Sequence, residues 1–109
     1  MIIATTETVP GRRVNDCLGM VRGNTIRARS LGRDIKAAFK NLAGGEIADY
    51  TKMLAESREQ AMDRMIEDAE ALGADAVVGV RFSSASVMQS AAEILVYGTA
   101  VTLAPLDAK

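Results

Sequence analysis

The stretch Gly73-Ala74-Asp75-Ala76-Val77-Val78-Gly79-Val80-Arg81-Phe82 decides the fold. Its β-branched run, bounded by glycine, has the signature of a buried strand. It follows directly on a segment, Glu46 to Leu72, that contains neither proline nor glycine. Within that segment Ile47, Tyr50, Leu54, Ala61, Met65, Ala69 and Leu72 recur at intervals that place them on one stripe of a helix. Gly73 is the residue type that ends helices, so the chain is expected to leave a long helix there and enter a strand over Asp75 to Ser84.

Working outward from that junction, Ala92 to Leu103 reads as a second strand. The polar region Ser86 to Ser90 is expected to be a moderately long hairpin loop. On the N-terminal side, Val14 to Ile26 mixes apolar and polar residues and holds Gly19 and Gly23, the pattern of a long strand with a bend or bulge near the glycines. Ser30 offers an N-cap, and Leu31, Ile35, Ala38, Phe39 and Leu42 repeat at helical spacing until Gly44-Gly45, which predicts a short helix before the long one. Ile2 to Thr6 is a short β-like segment cut off by Pro10-Gly11, free to pair within the subunit or with another.

A strand, a helical crossover and a hairpin make a βαββ unit in an α+β fold. The crossover makes the first two long strands parallel, and the third must run against both. Placing it between them predicts a three-stranded sheet of order 1-3-2, with the long helix covering one face. Val77, Val78, Val80 and Phe82, and Ile94, Leu95, Val96, Tyr97 and Val101, fall on both faces of their strands. One helix cannot cover both faces, so an apolar face is expected to seek a partner, most simply a second copy of the chain.

Composition limits the alternatives. The 109 residues suit one domain over the whole chain, residues 1–109, and with 49% hydrophobic and 25% charged residues the composition is that of a globular protein. The apolar runs are far shorter than the roughly 20 residues of a membrane-spanning helix. Cys17 is the sole cysteine, which excludes an internal disulfide and suits a reducing compartment, so a cytoplasmic location is expected. Net charge is −1, yet residues 1–45 carry eight basic and three acidic side chains and residues 46–109 carry five and eleven. Either the halves neutralise each other within a monomer, or one surface of a subunit complements a different surface of its neighbour, as in a head-to-tail ring.

Chemistry-bearing constellations are few. Soft metals need thiolate or imidazole ligands in numbers of two to four, and the chain has one cysteine and no histidine. Cys17 either fills space in its strand or gathers near the axis of a ring that brings several copies together. Met53, Met62 and Met65 lie on the long helix, where methionine commonly fills core. Glu56, Glu59, Asp63, Glu67 and Glu70 form a stripe that is solvated, binds a hard cation, or meets the basic half of a neighbour. Gly44-Gly45 lacks the lysine and hydroxyl of a phosphate loop, and Ser57, Ser83 and Ser84 lack a histidine, so no enzyme is expected. The basic group Arg22, Arg27, Arg29, Arg33, Lys36 and Lys40 has no aromatic stacking platform beside it, which argues against nucleic acid. Arg33 and Asp34, as a local or intersubunit ion pair, and Arg81, in mid-strand, are the candidate interface residues.

The blocks Gly23-Asn24-Thr25, Gly32-Arg33-Asp34, Gly44-Gly45-Glu46, Tyr50, Ser57-Arg58-Glu59, Gly73 to Phe82 and Tyr97-Gly98-Thr99-Ala100-Val101 together resemble the YbjQ-like family of small bacterial proteins, over nearly the whole chain. The resemblance implies a dodecin-like subunit in a pentameric ring, with extra short strands joining subunits, and a family label of heavy-metal binding. The expected function is that of a homo-oligomeric ring holding metal or a small ligand at its interfaces. The alternative is a non-catalytic scaffold with no small ligand.

Overall fold

A computed structural model describes residues 1–28, 46–88 and 91–106. The elements are β1 (Ile2–Ile3), β2 (Arg12–Ala28), α1 (Glu46–Ala71), β3 (Ala76–Met88) and β4 (Ala91–Pro105). The expected short helix over residues 30–42 lies outside the described residues.

Helix α1 ends as Gly73 requires. Gly73 takes φ 81°, its N–H donates to the Glu70 carbonyl, and the Ala74 N–H donates to the Ala69 carbonyl. This pair of bonds satisfies carbonyls that the last turn would otherwise leave bare, and the left-handed residue costs least as glycine. The chain then turns into β3 with Asp75, whose carboxylate Oδ2 accepts from the Leu103 N–H at 2.8 Å.

Across the sheet the order is β1-β3-β4-β2. Strand β4 lies antiparallel to both β3 and β2. The sheet has four strands rather than the three of the expected 1-3-2 arrangement, because the N-terminal segment pairs in its own subunit. The Ile2 and Ala4 N–H groups donate to Asp75 and Val77 carbonyls, and Val80 and Gly79 donate back to Ala4 and Thr6. That segment thus covers the outer edge of the first half of β3, with β1 parallel to it. The hairpin is also tighter than the expected loop. Met88 pairs with Ala91, so β3 runs on through Ser86 to Met88, the first part of the region that read as turn.

The expected irregularity near Gly19 is present as a register shift between Cys17 and Gly19, with a second between Val14 and Asp16. Gly23 plays another part. A Cβ there would fall onto the Ala61 carbonyl oxygen and the Met65 backbone nitrogen, so Gly23 marks the line where α1 lies directly on β2. A third bulge in β3 places Gly79, at φ 64°, opposite Gly98.

The core lies between α1 and the sheet: Val21, Ala61, Met65, Ala69, Val77, Val80, Ile94, Val96 and Ala100 are all buried. Thr25 crosses from sheet to helix, its hydroxyl donating to the Ser57 carbonyl at 3.2 Å. On the opposite face a small cluster, Ala76, Val78 and Val101, is covered by Val9, Val14 and Leu103. Among the described residues, that cover stops short of the far half of the sheet.

Candidate ligand and assembly surfaces

The far half of the uncovered face is built by strand alternation. Opposite the buried series Val21, Gly23 and Thr25 of β2 stand Met20, Arg22, Asn24 and Ile26, all exposed. Met20 is 66% and Ile26 60% accessible. Register places Arg22, Tyr97 and Arg81 in one row across three strands, with the tyrosine between two guanidinium groups. Asn24 Nδ2 donates to Glu93 Oε2 at 3.0 Å one step along. The result is a surface of apolar side chains and cations, its nearest carboxylate already held by an amide.

On the helix side a cleft of 370 Å³ opens where α1 diverges from β3, lined by Leu54, Arg58, Phe82, Ser83, Ser84, Ala85, Ser86, Ala92 and Ile94. Leu54 and Phe82 remain substantially exposed there. The cleft combines an apolar floor with one guanidinium and several hydroxyls, a lining suited to an amphipathic anion.

Of the residues singled out in the sequence, Cys17 is exposed on β2, as a free thiol, next to the bulge at Gly19. The space-filling role is therefore not the one it takes in the subunit; the bulge that reorients this part of β2 is what the strand pattern could not resolve. Arg81 donates to the Thr5 carbonyl at 2.9 Å and to the Val80 carbonyl at 2.9 Å, so one role of its side chain is to hold the N-terminal segment against β3. Arg33 and Asp34 lie outside the described residues. The helix carboxylates Glu56, Glu59, Asp63, Glu67 and Glu70 are all exposed.

Metal binding sets a test on donor chemistry. Among the described residues no three or more Cys, Asp or Glu side chains come together as a metal site. One subunit offers a soft ion a single thiolate, which is short of the usual coordination. No described helix is long and apolar enough to cross a membrane.

A family model described as "Putative heavy-metal-binding" matches residues 1–104. The chain belongs to this YbjQ family. Two curated relatives carry the name UPF0145 protein. The one from Thermosipho melanesiensis is 58% identical over 107 residues, covering 98% of this chain and 99% of the relative. That from Thermotoga maritima is 62% identical over 103 residues, covering 94% and 97%. A solved structure of a DUF74-family protein of unknown function from Pediococcus pentosaceus superimposes with a TM-score of 0.69 at 17% identity, over 94% of this chain and 97% of that one. At that identity the likeness is one of fold. The YbjQ description names heavy metals, whereas the described donor set of a single YbjQ subunit does not suit one.

Proposed function

We propose that the chain works as a homo-oligomeric ring that binds a metal ion or small ligand at the junctions between its subunits. The observation that carries this reading is the half of the sheet face that no other described residue covers, where Met20, Ile26 and Tyr97 are exposed and the one described helix lies on the opposite face. Association removes that apolar surface from water. It also supplies what one subunit lacks for a soft metal, because a ring multiplies the exposed Cys17 thiol by the number of its copies. By family resemblance the ring is dodecin-like and pentameric. The sole, exposed cysteine suits a reducing compartment, and we place the assembly in the cytoplasm. The reading assigns no catalytic step.

Native mass spectrometry of protein purified without added metal tests it. The expected result is a closed oligomer that gains stoichiometric mass on addition of Zn²⁺ or Cu⁺, with the gain abolished by Cys17→Ser. A ring that takes up neither metal nor a small molecule would leave the scaffold reading in its place. A monomer at micromolar concentration would overturn assembly itself.

A further inference from the structure

The bare sheet face has a match elsewhere on the same molecule. Glu56, Glu59, Asp63, Glu67 and Glu70 follow one another at spacings of three and four, and lie opposite the stripe Ser57, Ala61, Met65 and Ala69 that α1 buries on the sheet. They form an acidic ridge along the outer side of the helix, with half-buried Ile66 beside it. At 1.5 Å per residue the ridge is about 21 Å long. The bare stretch of β2 from Met20 to Ile26 is about 20 Å at 3.3 Å per residue. The two surfaces agree in length and oppose in charge.

Building on the reading that the chain self-assembles, we infer that the acidic ridge of α1 in one subunit docks on the bare sheet face of the next, where Arg22 and Arg81 flank Tyr97. The two surfaces belong to opposite layers of one subunit, so a chain cannot satisfy its own face with its own ridge. The partner that fits is therefore a second copy, placed head to tail. Pairing two bare faces with each other would instead set Arg22 and Arg81 of both copies in one interface, where like charges oppose association. A head-to-tail contact repeats from copy to copy and closes where its rotation allows, the geometry of a ring. The carboxylates meet the guanidinium groups, and the aliphatic parts of the ridge and Ile66 cover Met20 and Ile26.

Charge reversal tests the contact. Arg22 has no hydrogen bond or ion pair among the described residues, so Arg22→Glu leaves the contacts between those residues intact. This variant, and separately Glu59→Lys with Asp63→Lys, is expected to weaken association on the order of a hundredfold and shift the sedimentation coefficient to that of the monomer. All three changes in one chain restore opposite charge and are expected to restore the oligomer. A wild-type oligomer that survives both separate reversals, or a combined variant that stays monomeric, overturns the inference while leaving self-assembly standing. A monomeric wild type removes both. As a second measurement, Arg22→Cys with Asp63→Cys in a Cys17→Ser background is expected to give intersubunit disulfides on mild oxidation. No cross-link in a properly folded oligomer would also overturn it.

Discussion

Gly23 shows how much one hydrogen atom in place of a methyl group can determine. Because α1 rests on β2 at this point, an added Cβ meets backbone atoms of Ala61 and Met65 rather than the end of a side chain that could swing aside. The helix would have to lift away from Val21 and Val96 to make room. Gly23→Ala is therefore expected to destabilise the fold by about 3 kcal/mol, at the upper end of overpacking costs. An unfolding free energy from urea titration that changes by less than about 0.3 kcal/mol would contradict the close approach. In the sequence, Gly23 looked like a second bend beside Gly19, since a glycine in a strand marks equally a bulge or another backbone close by. Only the partner across the interface distinguishes them. Gly73 was legible for the opposite reason: its left-handed φ serves a cap that is local in the chain, so local pattern suffices. Cys17 lay beyond such reading, because a register shift on each side of it changes which face its strand presents.

At the scale of elements, the long helix and the two C-terminal strands were readable because each buries a regular stripe. The end of β3 from Ser86 to Met88, which read as turn, was not, since Ser86 is exposed and lines an open cleft instead of a core. Strand β2 presents a different problem, as a seventeen-residue edge that pairs only with β4 among the described residues. Such an edge is a template for unwanted pairing. Arg64 reaches across from α1 and donates from Nη1 to the Asn24 carbonyl at 2.6 Å, occupying an acceptor that an incoming strand would need. Arg64→Met keeps much of the stem and removes the donor. The variant is expected to scatter more light on heating than wild type at equal concentration; identical scattering curves would show that the guanidinium does not guard the edge.

For the whole molecule, the extents are 63 × 23 × 16 Å. A chain of this length folded as a sphere would have a radius of gyration near 13 Å, whereas the observed value is 18.1 Å. An elongated two-layer body has much surface for its volume and gains correspondingly less from burial within one subunit. If association supplies the difference, stability is tied to protein concentration. The urea midpoint is expected to rise as the protein is concentrated from 1 to about 100 μM, by mass action. A midpoint independent of concentration over that range would count against obligate assembly. The βαββ framework was legible at this scale. The edge position of the N-terminal segment was not, because its pairing depends on which end of β3 remains open once β4 has taken the other side.

Register also sets a timetable. Ala28 pairs with Ala91 and Arg12 with Pro105, so every residue of β2 waits for a partner synthesised more than about sixty residues later, a matter of several seconds at ribosomal rates of roughly 5–20 residues per second. Through that interval the longest strand of the protein exists without its ladder. Arg22 and Asn24, set between Met20 and Ile26 on one side of that strand, interrupt an otherwise apolar stretch with a charge and an amide, the kind of gatekeeper that opposes aggregation of an unpaired strand.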